Sequence, residues 1–342
     1  MANYKELEGF GVQTLAADPD SPGWAGSIFY NSTEGVFKTV KPGGITAGTW
    51  ASGTSINNSR GEGIGAGTQT SAVAIGGRLS PPPAARVGYT EIYNGTTWTE
   101  VNDLSTARRQ LGGSINGTTT ALLAFGGDLD SGSPPISNAV ESWNGTSWTA
   151  GTNLPTQREG GGSAGTQTAA LFFSGRTADG PPYVTSSNVE SWNGTSWTET
   201  TEMNTPRYLF AGVGLQTAAL GFGGDTTIFP STLSSAAESW NGSSWTTVNS
   251  LNQAKYYVAG AGTYTAALCI GGSTPTFTVN TEYYDGTTWT EVNNLATAIR
   301  GSFTAGSSQA AFSAGGFTGP ATTANTEEWN APDVVINTLT TS

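Results

Sequence analysis

A glycine pair that returns at nearly constant spacing constrains this chain more than any other feature. It occurs at Gly76-Gly77, Gly126-Gly127, Gly223-Gly224, Gly271-Gly272 and Gly315-Gly316, and Ser174-Gly175 stands in the matching place of a further copy. Successive first positions lie 50, 48, 49, 48 and 44 residues apart. Six copies of one unit must stack on one another, because a single unit of this size cannot bury both of its faces. The period is too long for tetratricopeptide or ankyrin repeats and matches a four-stranded blade.

Two further markers order each unit. An acidic residue, an aromatic, an Asn-Gly or Asp-Gly centre and a Trp recur as Glu91-Tyr93-Asn94-Gly95-Trp98, Glu141-Trp143-Asn144-Gly145-Trp148, Glu190-Trp192-Asn193-Gly194-Trp197, Glu238-Trp240-Asn241-Gly242-Trp245 and Glu282-Tyr284-Asp285-Gly286-Trp289. The Asn-Gly and Asp-Gly centres are expected to supply the positive φ angles of a tight hairpin. Ten or eleven residues past each Trp comes a basic marker, Arg60, Arg109, Arg158, Arg207, Lys255 and Arg300. Short apolar runs such as Thr120–Phe125 and Thr217–Phe222 lead into the glycine pairs and read as buried strands. Each unit is therefore read as four strands, with no helical periodicity anywhere.

The glycine pairs, the aromatics at Tyr93, Trp143, Trp192, Trp240, Tyr284 and Trp329, and the Trp series resemble the kelch-repeat β-propeller family over about residues 46 to 342. Two departures stand out: the aromatic-to-Trp spacing is shorter than usual for kelch, and Ser174 replaces one glycine. The resemblance implies an all-β, six-bladed, kelch-like β-propeller with four-stranded blades. Trp50, Trp98, Trp148, Trp197, Trp245 and Trp289, with Gly76, Gly126, Gly223, Gly271 and Gly315, are its structural residues.

The sixth unit has Glu327-Trp329-Asn330 followed by Ala331-Pro332, and so lacks a Trp strand. Upstream, Thr49-Trp50 lies ten residues before Arg60, the offset of Trp148 from Arg158. The N-terminal Trp50 strand is therefore expected to close the last blade and remove the open edge. The alternative gives Val334-Val335-Ile336 that place and builds a seventh blade from residues near 26 to 50.

Composition narrows the function. The chain has 342 residues, 13 Lys plus Arg against 25 Asp plus Glu, a formal net charge of -12 and no histidine. Nucleic acid would be repelled by that charge, and no basic run offsets it. Catalytic or metal-binding histidine chemistry is excluded, including that of copper oxidases built on related propellers. No Gly-x-Ser-x-Gly elbow or phosphate-binding lysine loop is present, so the chain is expected to be non-enzymatic, with no cofactor and no bound metal. Cys269 is alone and reads as a small core residue. No stretch is long and apolar enough to span a membrane, and Met1–Glu6 carries no apolar signal run. The recurring glutamates and basic residues are read as contacts within or between blades, and the Asn-Gly-Thr/Ser triplets as turns before glycosylation acceptors.

Residues 1–45 do not follow the repeat and are assigned to an N-terminal arm, with 46–342 as the propeller. Ser27–Asn31 and Gly35–Val40 are expected to form a hairpin around Ser32-Thr33-Glu34, able to cap the ring, pair with Val334-Val335-Ile336, or dock on another subunit. The pattern Asp18-Pro19, Pro22-Gly23, Phe29-Tyr30-Asn31-Ser32-Thr33 and Gly35-Val36-Phe37-Lys38 resembles a segment of tailed-bacteriophage virion proteins, in tails and fibres. It implies a structural protein of the virion, present in several copies, whose partners are other virion proteins, with the exposed face meeting either one of these or a host-surface glycan. The rival expectation is an extracellular carbohydrate-binding propeller of a bacterium.

The connections that break the repeat are Arg78–Arg86, Asp128–Ser137, Arg176–Ser187 and Asp225–Ser235, which shorten to Ser273–Val279 and Phe317–Ala324 in the last two units. All join the second and third strands, so they are expected on one face, with Tyr183, Phe229, Asp128 and Asp130 as candidate partner contacts. Asp128, Asp130 and Asp179 lack calcium-loop spacing and are read as solvated turns.

Overall fold

Runs such as Leu122–Phe125 and Ala218–Phe222, apolar or small at every position, suit strands covered on both faces, and they fold that way. The computed structural model describes residues 12–21, 24, 27–42, 44–80, 85–129, 135–178, 183–228, 230–332 and 334–339. Among the described residues the chain is all-β, with no α-helix, and it divides into two units. One is Thr49–Asn330; the other combines Met1–Gly48 with Ala331–Ser342.

The larger unit is built of six four-stranded antiparallel sheets in a propeller-like pattern. The first runs Ile64–Thr68, Ser71–Ile75, Thr90–Tyr93 and Trp98–Val101 in simple order, and the next four repeat it. The sixth joins Phe303–Gly306, Ala310–Ala314 and Thr326–Asn330 to Thr49–Gly53 from the start of the unit. Trp50 lies opposite Trp329 in that pairing, with ring centroids 5.5 Å apart. Thus the strand of Trp50, and not that of Val334, completes the sixth sheet.

Each hairpin between third and fourth strands is a four-residue loop. Tyr93 pairs with Trp98, and Asn94 Oδ1 accepts from the N–H groups of Thr96 (2.9 Å) and Thr97 (2.8 Å). Only the glycine has positive φ, 91° at Gly95, so the expected two-residue turn with two left-handed residues is replaced by an Asx turn. Asp285 serves as well as asparagine because the turn uses only an acceptor oxygen, here toward Thr287 (2.8 Å) and Thr288 (2.7 Å).

The Trp of each fourth strand reaches back to the preceding sheet. Trp98 packs on Phe312, Trp197 on Phe125, Trp245 on Phe173 and Trp289 on Phe222, with centroids 4.9 to 5.6 Å apart. Trp148 Nε1 donates to Thr90 Oγ1, and Trp50 Nε1 to Thr281 Oγ1, both at 3.1 Å. The glycine pair permits close approach at the opposite end of the strand. A Cβ on Gly76, at φ 64°, would stand 2.7 Å from the Arg108 carbonyl oxygen. Ser174 tolerates the same left-handed backbone, φ 57°, because its hydroxyl accepts from Arg207 N–H and donates to the Ser186 carbonyl, each at 2.7 Å.

Within the sheets lie buried ion pairs: Arg60–Glu91, Arg108–Glu141, Arg158–Glu190, Arg207–Glu238 and Lys255–Glu282. The glutamates also accept from backbone N–H groups, Asn57 to Glu91 at 2.7 Å and Ser105 to Glu141 at 2.8 Å. Two basic markers shift by one place as a result. Arg108 and Ile299, each ten residues past its Trp, occupy the place expected for Arg109 and Arg300. In the sixth sheet Glu327 therefore has no such cation among the described residues and accepts from the Ala296 and Thr297 N–H groups, at 2.8 and 3.1 Å.

The first strands close on one another through a six-membered cycle of backbone hydrogen bonds. Glu62 N–H donates to Gly301, Gln110 to Glu62, Gly160 to Gln110, Leu209 to Gly160, Tyr257 to Leu209 and Gly301 to Tyr257, at 2.6 to 3.1 Å. All six residues have φ between 52° and 62°. Four carry side chains, and a left-handed backbone costs each about 1–2 kcal/mol, which the cycle must offset.

The smaller unit is one four-stranded sheet in the order Gln13–Leu15, Ile28–Asn31, Val36–Pro42, Val334–Thr338, the first pair parallel and the others antiparallel. The expected hairpin is present, and the C-terminal segment joins it. Lys38 Nζ bonds Asp18 at 2.7 Å and Glu34 at 2.6 Å, tying the turn-rich segment to the hairpin.

Two stability measurements follow from this packing. Trp50→Ala, at a half-buried site, should cost about 2–3 kcal/mol, less than the ~3–5 kcal/mol of a fully buried aromatic; an unaltered denaturation midpoint would count against its packing role. Arg158→Met should cost about 3–5 kcal/mol by stranding Glu190, and adding Glu190→Leu should recover most of it. Equal loss in the single and double variants would show that the pair's charge is not what matters.

Candidate functional site

The thirteen cations of the chain sort into three groups. Lys5, Lys38 and Lys41 precede the repeats, and five others are spent in the sheet pairs. The remaining five, Arg78, Arg86, Arg109, Arg176 and Arg300, all border the left-handed cycle. Four come from two repeat positions, the residue after each glycine pair and the residue after the ten-residue offset from each Trp, and Arg86 bridges Arg78 from the far end of the first connection. These positions bridge as Gly61 with Arg78, Arg109 with Asp128, Glu159 with Arg176, Tyr208 with Asp225, Tyr256 with Ser273, and Arg300 with Phe317.

Glu62 is the centre of the group. Its side chain is fully buried, and Arg109 Nη1 lies 2.7 Å, Arg78 Nε 3.2 Å and Arg300 Nη2 3.8 Å from the carboxylate. Asp128 binds Arg109 at 2.5 Å and Arg86 at 2.8 Å. Glu159 pairs with Arg176. Five guanidinium groups thus meet three carboxylates.

Aromatic rings hold the guanidinium planes. Arg78 lies 4.7 Å over Phe317, Arg176 4.9 Å over Tyr208, and Arg300 4.2 Å over Tyr257, 5.1 Å over Phe277 and 5.4 Å over Phe317. Beneath them Tyr208 donates to Gln110 Oε1 at 2.6 Å, and Gln110 Nε2 donates to the Tyr257 oxygen at 2.9 Å. Burial raises the hydroxyl pKa of both tyrosines. Burial also pushes Glu159 up to about 7 despite Arg176 beside it. Burial opposes the charge on Arg109, but Glu62, Tyr257 and Asp128 outweigh it and hold its pKa raised.

The cycle residues also line a cavity of about 120 Å³, shared with Ile64, Ile115 and Thr304 of the first-strand region. Small-molecule sites usually measure ~300–1,000 Å³. The arginine-bearing end, not this cavity, has the reach to meet a large ligand.

The four irregular connections stand at that same end. Their bases bridge as Arg78 with Arg86, Asp128 with Ile136, Arg176 with Thr185 and Asp225 with Leu233, and the last two rise as two-stranded ribbons. The first and sixth connections touch, Ser80 Oγ donating to the Pro320 carbonyl at 2.7 Å.

Of the four candidate contact residues, Tyr183 is 36% exposed and stands beside Arg176, with that guanidinium 5.8 Å from its ring. Asp128 is 1% exposed, and its carboxylate is engaged by Arg86 and Arg109, so the solvated turn expected there is a buried ion-pair site. Phe229 and Asp130 lie outside the described residues, as do Asp179 and the proline-bearing tips at 81–84, 131–134 and 181–182. The arginine cluster was hidden at sequence level by taking Arg109 and Arg300 for sheet residues. A strict ten-residue offset from each Trp would have released them. The chain matches no family model and no curated protein.

Protonation of Glu159 gives a pH test. Its folded-state pKa lies above the ordinary 4.5, so the folded protein holds the extra proton between about 4.5 and about 7. The resulting stabilisation is complete below about 4.5 and is lost as pH rises through about 7. Glu159→Gln should remove that slope from denaturant midpoints measured across this window. A wild-type minus variant difference that stays constant over the window would show that Glu159 is charged throughout.

Proposed function

We propose that Thr49–Asn330 is a six-bladed, kelch-type β-propeller acting as a non-enzymatic recognition module, and that the whole chain is a structural virion protein of a tailed bacteriophage, in the tail, a fibre or an external appendage. The observation carrying the recognition reading is the meeting of four unlike connections and five arginines at one end of an otherwise regular repeat. Regular sheets supply a rigid base, and irregular loops on such a base are where binding residues are typically placed. Six sheets, the Trp50 strand in the last of them and the hydrogen-bonded cycle support the blade count.

The virion setting rests on the resemblance of the Asp18–Lys38 region to tail and fibre proteins. It is supported by a separate sheet that gathers this region and the C-terminal strand, an arrangement suited to anchoring on a neighbouring virion protein. Several copies in an assembly would place many loop-bearing ends toward a host surface.

Mass spectrometry and immunogold labelling of purified particles should find the protein in the virion, and its absence there would overturn that setting. Deleting residues 1–48 should leave the repeat unit folded by circular dichroism and remove it from particles. Undiminished incorporation would refute the anchoring role.

A further inference from the structure

Arg78 and Arg300 stand apart from every other cation of the repeat unit. Neither donates a side-chain hydrogen bond to any described residue, and their one carboxylate neighbour is Glu62, at 3.2 Å from Arg78 Nε and 3.8 Å from Arg300 Nη2. Their flat faces are occupied by aromatic rings, both by Phe317 and Arg300 also by Tyr257 and Phe277. A guanidinium stacked by its face keeps in-plane N–H donors free; the Nε groups of both arginines are buried, so the Nη groups are the ones that can hold an oxyanion by paired hydrogen bonds. Both side chains are within reach of solvent, 25% exposed at Arg78 and 17% at Arg300.

The neighbourhood selects the class of anion. Among the described residues, Tyr183 and Val184 are the large exposed hydrophobics on these connections, too little for the apolar centre of a protein interface. Hydroxyl side chains join the first and sixth connections instead: Ser59 Oγ donates to Thr322 Oγ1, Thr322 Oγ1 to the Ser80 carbonyl, and Ser80 Oγ to the Pro320 carbonyl.

We propose that Arg78 and Arg300, at the bases of the hydroxyl-bearing first and sixth connections, form an anion subsite for a carboxylate-bearing saccharide. The assignment rests on the recognition reading above and gives its ligand class. Glu62 acts as a positioning residue: fully buried, it draws both guanidinium groups to one carboxylate, at 3.2 Å from Arg78 Nε and 3.8 Å from Arg300 Nη2, without satisfying their donors.

Calorimetry on the full chain tests this with tetrasaccharides of galacturonate and glucuronate, the methyl-esterified galacturonate tetramer, sodium sulfate and tetraglutamate. The acidic saccharides should bind, and esterification should weaken binding at least about tenfold, the worth of a charge-assisted hydrogen bond. Arg300→Gln and Arg78→Gln should each do the same without shifting the melting curve, and Arg300→Lys should not restore binding because it lacks the planar fork. Equal binding of ester and acid, or none of either acidic tetramer, would overturn the proposal. Tetraglutamate or sulfate binding as tightly as the saccharides would reduce the site to a general anion site and refute the saccharide assignment. In a cell-adsorption assay, loss of binding on replacing the loops but not on Arg300→Gln would sink the anion subsite while leaving the recognition reading intact.

Discussion

Six backbone hydrogen bonds in a closed cycle hold the first strands of all six sheets to one another. Every participant pays for a left-handed backbone, and only Gly160 and Gly301 do so without a side chain. Cyclic closure explains why the cost is accepted: each N–H and each carbonyl finds its partner on the neighbouring sheet, leaving no orphan at the axis. Strained non-glycine residues in native proteins tend to mark functional sites. Here the strain lies directly beneath the arginine cluster, and the same residues, Glu62, Gln110 and Tyr257, serve both.

Charge is distributed by the same repeat logic. Five cations are buried in the sheets against glutamates, and glutamates such as Glu91 and Glu141 also receive backbone N–H groups, so that charge is neutralised and hydrogen-bonded even though the Nε groups of Arg108, Arg158 and Arg207 find no acceptor among the described residues. Burying a charge without a partner is expensive, whereas a paired and hydrogen-bonded one is tolerated. The sixth sheet takes the other solution and places Ile299 where the cation would be, leaving Glu327 half-buried on two N–H donors. With those five engaged, the arginines left in the repeat unit gather where the loops begin.

Much of this was legible before any coordinates. The glycine pairs, the turn centres and the Trp series mark six units because each is a backbone or packing requirement that recurs at one place. The complementary deficits at Trp329 and Trp50 similarly point to a strand borrowed across the chain. What misled was local. Arg109 and Arg300 stand one residue from the sheet position, and along a strand a one-residue step sends a side chain to the opposite face. The Asn-Gly signal was right about the hairpin but silent on loop length, since an Asx turn and a two-residue turn favour the same residues.

The amino-acid sequence alone determined the repeat, its all-β character and the absence of histidine chemistry, because periodicity and composition are properties of the chain in one dimension. Tertiary structure decided which carboxylate meets which cation, that Asp128 is buried, and that residues as distant as Glu62, Arg109 and Arg300 share one site. Those facts depend on distances between units dozens to hundreds of residues apart. No local pattern carries such distances; they exist only once the sheets have packed.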